Sequence, residues 1–271
     1  MNRKNDAPSN KRTMKKRWIV LGIVLIIVVL GAIVVGVIAN KNVKAMNSCV
    51  DSVLETLKEN YNVKALDVGE YENMTVYGLM KFDVEQYYIE ELGNLSVMRM
   101  NMGLMQMATV VITPKDKNMP LLSADYMYIL SDRKCYLEFY DVVKEKDEAY
   151  NELLDKLSEV QEEYANLKNI EVSPAWYADL LTVTSYKGGS FGEDLALETL
   201  LVDGLQVYVD HAKELPRLSD EDRKEKLAIT LEYTDGLIEK GGISTDVFKK
   251  ELGEAETKKF FGEVFFGTVA E

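Results

Sequence analysis

The chain of 271 residues contains one histidine, two cysteines and five prolines. Because His211 is the only imidazole, a metal site with several histidines and a haem held by two histidines of one chain are both excluded. Cys49 and Cys135 lie far apart and lack the close spacing of zinc-binding pairs. A disulfide between them stays open for an oxidising compartment, but a small buried thiol at Cys135 is the expected state.

Acidic residues outnumber basic ones beyond the N-terminus. The whole chain has a net charge of −13, and residues 1–17 carry seven Lys or Arg against the single acid Asp6, so the remaining residues carry −19. A surface this acidic repels nucleic-acid phosphates and anionic lipid headgroups. We therefore expect no nucleic-acid partner.

The longest uncharged run lies near the N-terminus, from Trp18 to Ile38. About 20 apolar helical residues, at about 1.5 Å rise each, span the hydrocarbon core of a bilayer, which is about 30 Å thick. The run therefore predicts a transmembrane helix, with the ring of Trp18 at the interface. A cleaved signal peptide ending near Ala39 is the alternative, although its apolar region would be only about 7 to 15 residues long.

The distribution of positive charge predicts the orientation of this helix. Seven basic residues precede it, whereas only Lys41 and Lys44 follow closely, and positive residues stay in the cytoplasm. We expect a single-pass protein of the cell membrane, with its N-terminus in the cytoplasm and its C-terminal domain outside.

We predict four segments along the chain. They are a basic cytosolic tail (1–17), a transmembrane helix (18–38), a linker helix (39–61) and an α/β domain (62–271). The linker is predicted to be an amphipathic helix because its apolar residues recur at helical spacing. These residues are Val43, Met46, Val50, Val53, Leu54 and Leu57.

Three short strands are predicted at the centre of the domain: Met105–Thr113, which ends at Pro114, then Leu121–Leu130, and Lys134–Val142. Earlier strands are predicted at Val63–Val68, Met74–Phe82, Tyr87–Ile89 and Leu95–Met100. Helices are predicted at 147–167, 193–215, 220–240, 246–252 and 254–266. Strands followed by helices predict an α/β fold, an antiparallel central sheet sandwiched between helices.

A carboxylate interrupts the second central strand at Asp125. Strands disfavour Asp, and a buried one costs several kcal/mol unless it is paired or protonated through a raised pKa. Two interpretations of Asp125 are open. In the structural one, its carboxylate faces solvent or accepts from a backbone donor. In the functional one, it is a proton donor in a pocket.

Methionines are unusually dense just before this strand, at Met98, Met100, Met102, Met105 and Met107. Alternate methionines on adjoining strands are typical of the filling between a sheet and its helices. The same flexible side chains also suit an irregular ligand pocket.

Around Asp125, residues 111–114 (VITP), 119–125 (MPLLSAD) and 140–142 (YDV) follow one another with short spacings. In order and spacing this segment resembles the ferredoxin-dependent bilin reductases. The central segment of that family runs as a strand ending in Phe-Pro, a short loop, Pro-hydrophobic-Phe-Gly-X-Asp and a returning strand ending in Asp. Residues 252–266 (LGEAETKKFFGEVFF) echo the closing segment of the family, so the similarity spans about residues 60–267.

This resemblance implies a pocket for a bilin or other tetrapyrrole between the sheet and the C-terminal helices, with Asp125 against the bilin and taking part in its protonation. It also implies an external one-electron donor protein and no bound flavin or metal. Two proton-handling residues differ. Ala108 stands where phycocyanobilin-forming members carry a His, and Ser96 where they carry a Glu.

Three functions remain open at this point. A non-catalytic module that binds a tetrapyrrole or another apolar ligand is favoured, because the His and Glu are missing and ferredoxin is cytosolic whereas the domain is predicted outside. The second is a ferredoxin-type-donor-dependent reductase of a linear tetrapyrrole, with Asp125 as proton donor. The third is a structural envelope protein whose sheet binds a protein partner.

Overall fold

The computed structural model describes residues 10–268. The first nine residues of the predicted basic tail lie outside that range. Within it, nine strands form one antiparallel sheet in the order β1-β3-β4-β5-β6-β7-β9-β8, with β2 also paired to β3. The strands are β1 (Val63–Leu66), β2 (Asn73–Val76), β3 (Met80–Ile89), β4 (Gly93–Asn101), β5 (Met105–Pro114), β6 (Leu121–Ile129), β7 (Asp132–Tyr140), β8 (Lys168–Asn169) and β9 (Leu181–Gly189). The predicted fold class is confirmed.

Helices cover both faces of this sheet. They are α1 (Asn10–Asn60), α2 (Glu148–Glu163), α3 (Asp194–Glu214), α4 (Asp220–Glu239), α5 (Ile243–Leu252) and α6 (Glu254–Lys259), and α6 continues into a π-helical turn at Phe260–Phe265. The C-terminal part of α1 packs with α2 and α3 on one face, and we call these three helices the α1–α3 layer. The other face is covered by α4, α5, α6 and the π-helical turn.

One continuous helix, α1, contains both the apolar run and the segment predicted as a linker. The large apolar side chains between Leu21 and Val37 are 41 to 64% exposed, and this helix is long and apolar enough to cross a membrane. Further along, its side chains enter the core. The buried ones include Met46, Cys49, Val50, Val53 and Leu57. Residues 39–61 therefore do more than link, because they form one layer of the sandwich.

Side chains alternate between the two faces along each strand. In β6, Leu122, Ala124 and Tyr126 face the α1–α3 layer, whereas Leu121 faces the C-terminal helices. Asp125 therefore projects toward the C-terminal helices. We call this side of the sheet the Asp125 face.

The predicted strand Met74–Phe82 is wrong, because a hairpin divides it. Strands β2 and β3 pair in antiparallel fashion, with Val76 opposite Met80. The turn between them holds Tyr77 and Gly78 at φ of 52° and 65°. Tyrosine is uncommon in this conformation, so Gly78 is the turn signal here, and a lone glycine within an apolar run also fits a bulge.

The two cysteines and the histidine lie in or beside the α1–α3 layer. Cys49 on α1 and Cys135 on β7 are both buried and unpaired, and burial raises the pKa of Cys135 to about 12. His211 is buried on α3, and among the described residues neither of its ring nitrogens has a hydrogen-bond partner. It is thus a packing residue on the side of the sheet away from Asp125.

Candidate functional site

Asp125 lies near the middle of the sheet. It is paired with Thr109 on β5 and with Tyr136 on β7. Because antiparallel partners face the same side of a sheet, these side chains form one row across the Asp125 face, which Tyr186 on β9 extends. We call Thr109, Asp125, Tyr136 and Tyr186 the Asp125 row.

The carboxyl group of Asp125 has a raised pKa. Among the described residues its hydrogen-bond donor is Thr109, whose Oγ1 donates to Asp125 Oδ1. Burial raises the pKa of Asp125 from 3.8 to about 6, the bond from Thr109 opposes the rise, and the charge of Glu138 adds to it. A carboxyl group with such a pKa exchanges a proton close to neutral pH, as a proton donor requires.

A second acid, Glu138 on β7, lies one step along the same face and accepts hydrogen bonds from two tyrosines. Tyr140 Oη donates to its Oε2 at 2.5 Å, and Tyr186 Oη donates to its Oε1 at 2.8 Å. Burial and the bond to Glu138 raise the pKa of Tyr186, so this phenol stays protonated as a donor. Glu138 is thereby fixed as an acceptor, and it holds two aromatic rings beside Asp125.

Aromatic rings close one end of this region. Tyr233 of α4 lies against Tyr140, with ring centroids 5.0 Å apart. Tyr177 and Trp176, from the loop before β9, pack on Tyr233 at 6.0 and 6.2 Å. These contacts tie α4 to the end of β7. They also place a wall of phenol and indole rings beside the two acids.

Methionines form a row next to the Asp125 row. Met100 pairs with Met107, and Met107 pairs with Met127. Met100 is buried, whereas Met107 and Met127 are only half-buried. The predicted dense methionines thus meet across the strands as one apolar strip.

The C-terminal helices cover the Asp125 face unevenly. On β3 and β4 the side chains on this face are fully covered, as at Val84, Met98 and Met100. On β6, β7 and β9 most of them are half-buried, apart from Leu121 and Tyr140, which are covered. These half-buried side chains are Ser123, Asp125, Met127, Tyr136, Glu138, Thr184 and Tyr186. We call them the half-covered patch, a surface of apolar, aromatic and acidic groups that keeps partial exposure to solvent.

Ala108 and Ser96, the two positions at which the resemblance implies missing proton-handling residues, lie on opposite faces of the sheet. Ala108 projects into the α1–α3 layer. Ser96 lies on the Asp125 face, where its Oγ donates to Val264 O at 2.8 Å. On β5 the side chains on the Asp125 face include Met107, Thr109 and Val111, none of which titrates. Among residues 10–268 no cluster of three His, Cys, Asp or Glu side chains suits a metal ion.

No protein-family model matches this sequence, and no curated protein matches it. A match does occur with the crystal structure of selenomethionine phytochromobilin synthase from tomato in complex with biliverdin, at a TM-score of 0.68 and 12% sequence identity. The alignment covers 82% of this chain and 83% of that chain. The fold is bilin reductase-like. At such identity the likeness shows a distant structural relationship, and the residues of the site must carry any functional argument.

Sequence reasoning found Asp125 and the methionines but missed Glu138 and the tyrosines around it. Tyr136 and Tyr186 are 50 positions apart, and only the pairing of β7 with β9 brings them together. The signal that was present is the alternation in β7, where Tyr136, Glu138 and Tyr140 occupy every second position. A polar acid between aromatic residues on one strand face indicates a partly covered surface.

Proposed function

We propose that this protein is a membrane-anchored module that binds a linear tetrapyrrole or another extended apolar ligand on the half-covered patch, without redox chemistry. The observation that supports this proposal is the position of Asp125. Its carboxyl group, with a pKa of about 6, lies on a surface that the helices leave half-covered, between a methionine strip and a group of tyrosines.

The chemistry of the patch fits a ligand with a flat apolar body and N–H groups. Met107 and Met127 offer polarizable side chains that adapt to an aromatic surface. Tyr136 and Tyr186, whose ring centroids are 6.0 Å apart, offer aromatic packing. The carboxylate of Asp125 accepts hydrogen bonds from ligand N–H groups, which are stronger when the acceptor is charged.

A reductase that takes electrons from a ferredoxin-type donor, with Asp125 as proton donor, is the second candidate. The pKa of Asp125, near 6, favours it, since a proton donor works best near the ambient pH. Against it, the single histidine lies on the opposite side of the sheet, and the neighbours of Asp125 on β5 do not titrate. The other acid beside Asp125, Glu138, already accepts hydrogen bonds from Tyr140 and Tyr186. We therefore favour binding over reduction.

The anchor in this proposal is the apolar part of α1, whose exposed side chains would be costly in water. We place the N-terminus in the cytoplasm and the folded domain outside, because of the basic residues that precede the helix. Such a position separates the domain from a cytosolic electron donor. It thereby favours binding over reduction.

The test is a visible absorption titration of the full chain in detergent micelles with biliverdin and, separately, with haem. We expect a saturable spectral shift with biliverdin at pH 7.5. Asp125→Asn should weaken the affinity roughly ten-fold or more, because a charge-assisted hydrogen bond is lost. Asp155→Asn, which alters an exposed acid on α2, is the matched control and should bind as the wild type does.

Three other outcomes decide among the functions. If the bound pigment bleaches when a reduced ferredoxin system is added, the protein is a reductase and the non-catalytic proposal is wrong. If Asp125→Asn and Asp155→Asn bind equally well, Asp125 has no part in the site. If no shift occurs with either pigment, a tetrapyrrole is not the ligand.

A further inference from the structure

We propose that one end of the sheet rests in the headgroup layer of the bilayer that holds α1, so that the domain docks on the membrane directly. This inference extends the proposed anchor and depends on it. It concerns four connections that lie at the same end of the sheet. They join β2 to β3, β4 to β5, β6 to β7 and β9 to α3.

Exposed apolar side chains occur in three of these connections and in the first turn of α3, directly after the fourth. They are Tyr77 (51% exposed), Leu79 (62%), Leu104 (41%), Leu130 (44%) and Leu195 (75%). We call them the apolar rim. Two of the connections touch, since the Leu130 amide donates to Leu104 O at 3.0 Å. Large exposed apolar residues gathered at one end of a domain are typical of an interaction surface.

The opposite end of the sheet is charged. There the turn between β3 and β4 contains Glu90 and Glu91, and the loop between β5 and β6 contains Lys115–Lys117. The connection from β7 to α2 contains Lys144–Asp147, four consecutive charged residues. The domain is therefore polarised along its strands, with apolar turns at one end and charged turns at the other.

Helix α1 leaves the domain at the apolar end. Asn42 Nδ2 donates to Leu130 O in the β6–β7 turn at 3.1 Å. Two residues beyond the other end of α1, the backbone O of Asn62 accepts a hydrogen bond from the Glu90 amide at 3.1 Å. The core part of α1 thus runs from the rim to the charged end, and its apolar extension continues outward past the rim.

The distance along α1 places the rim at headgroup depth. Ile38, the end of the apolar run, precedes Asn42 by four residues, which is about 6 Å along a helix. The interfacial layer on each side of the hydrocarbon core is about 5 to 8 Å thick. Ile38 and Ala39 are already half-buried against the domain, and the helix is continuous here. No flexible tether separates the rim from the lipid.

Two rim residues also occupy backbone positions that do not suit them. Tyr77 and Leu130 have φ of 52° and 54°, a left-handed conformation in which Gly, Asn and Asp are favoured. Each is a bulky residue whose side chain is exposed although its backbone position is unfavourable. Burial in a bilayer interface would remove the exposure of these side chains to water, while the backbone cost would remain.

The charges around the rim are compatible with lipid headgroups. Lys41, Lys44 and Lys134 are exposed at this end. Exposed acids lie there too: Asp132 at the start of β7, and Glu251, whose Oε2 accepts a hydrogen bond from the Tyr77 amide at 3.2 Å. Lys41 Nζ lies 4.1 Å from the centroid of the Phe191 ring, beside the start of α3. Lysines near a membrane surface attract headgroup phosphates, even though the domain as a whole is acidic.

The experiment uses the full chain in phosphatidylcholine vesicles, with an environment-sensitive NBD label on one introduced cysteine at a time. The native cysteines are both buried, and the unsubstituted protein measures their background labelling. Labels go on Leu104→Cys, Leu130→Cys and Leu195→Cys. Val172→Cys is the matched control, because Val172 is 41% exposed and lies beyond Ile170, whose amide pairs with Tyr186 in mid-sheet.

We expect the three rim labels to emit at shorter wavelength and to be quenched at least two-fold by lipids that carry a nitroxide near the headgroup. The Val172→Cys label should show neither effect. Flotation of the vesicles measures the anchor independently. If the protein floats but the rim labels resemble the control, docking is wrong and the anchor stands. If the protein does not float, the anchor fails and docking fails with it. A blue shift without lipid quenching would mean that protein covers the rim, which also overturns the proposal.

Discussion

The ionisation of Asp125 gives the protein a pH-dependent stability at the scale of a single residue. Its pKa is raised from 3.8 to about 6 in the folded protein, so the folded state holds the proton more tightly than the unfolded chain does. The contribution of Asp125 to stability is therefore greatest below about pH 4. It is lost as the pH rises through about 6.

Replacing Asp125 with Asn removes this penalty. The amide still accepts the hydrogen bond from Thr109, so we expect Asp125→Asn to raise the free energy of unfolding at pH 7.5 by about 1 to 3 kcal/mol. At pH 4 the difference should nearly vanish. Urea denaturation at both pH values measures it, and an equal difference at pH 4 and pH 7.5 would show that burial does not raise the pKa of this group.

The hydrogen bond from Thr109 offers a second test at this scale. This bond lowers the pKa of Asp125, so Thr109→Val should raise that pKa further, as followed by a carbon-13 NMR titration of the carboxyl group. Thr113→Val is the matched control on the same strand. Thr113 Oγ1 is buried without a hydrogen-bond partner among the described residues. Identical titrations of Asp125 in the two variants would contradict the account.

At the scale of elements, α1 combines two roles that the sequence alone separates. Leu57 is fully buried in the α1–α3 layer, whereas Leu30, on the same helix, is 57% exposed. In micelles we expect Leu57→Ala to lower the free energy of unfolding by about 2 to 5 kcal/mol, since it leaves a core cavity. Leu30→Ala should change it by less than about 0.5 kcal/mol. A helix that merely links would tolerate both changes equally.

Some elements could be predicted from the sequence because local signals bound them. Pro114 and Pro120 delimit the ends of two central strands, and Ser219 caps α4 by accepting from the Asp222 amide at 3.1 Å. The hairpin at Tyr77 was missed, because Gly78 is its turn residue and a lone glycine in an apolar run does not distinguish a turn from a bulge. The packing of residues 39–61 was also hidden, since an amphipathic pattern shows that a face is buried but not against which partner.

At the scale of the whole molecule, the site depends on contacts that span the chain. Asp125 was found because a charge inside a strand is locally anomalous. Glu138 and its tyrosines required the strand order, and the wall of Trp176, Tyr177 and Tyr233 required the packing of α4 on the sheet. The apolar rim likewise exists only because four separate turns meet at one end of the sheet.

The most direct measurement is the biliverdin titration repeated with the half-covered patch filled. Met127→Trp places an indole beside Asp125, whereas Val172→Trp adds the same ring elsewhere on the surface, and thermal unfolding checks that both variants fold. The account predicts a saturable spectral shift for the wild type and for Val172→Trp, and its loss in folded Met127→Trp. An undiminished shift in Met127→Trp would contradict the claim that the ligand binds on the Asp125 face.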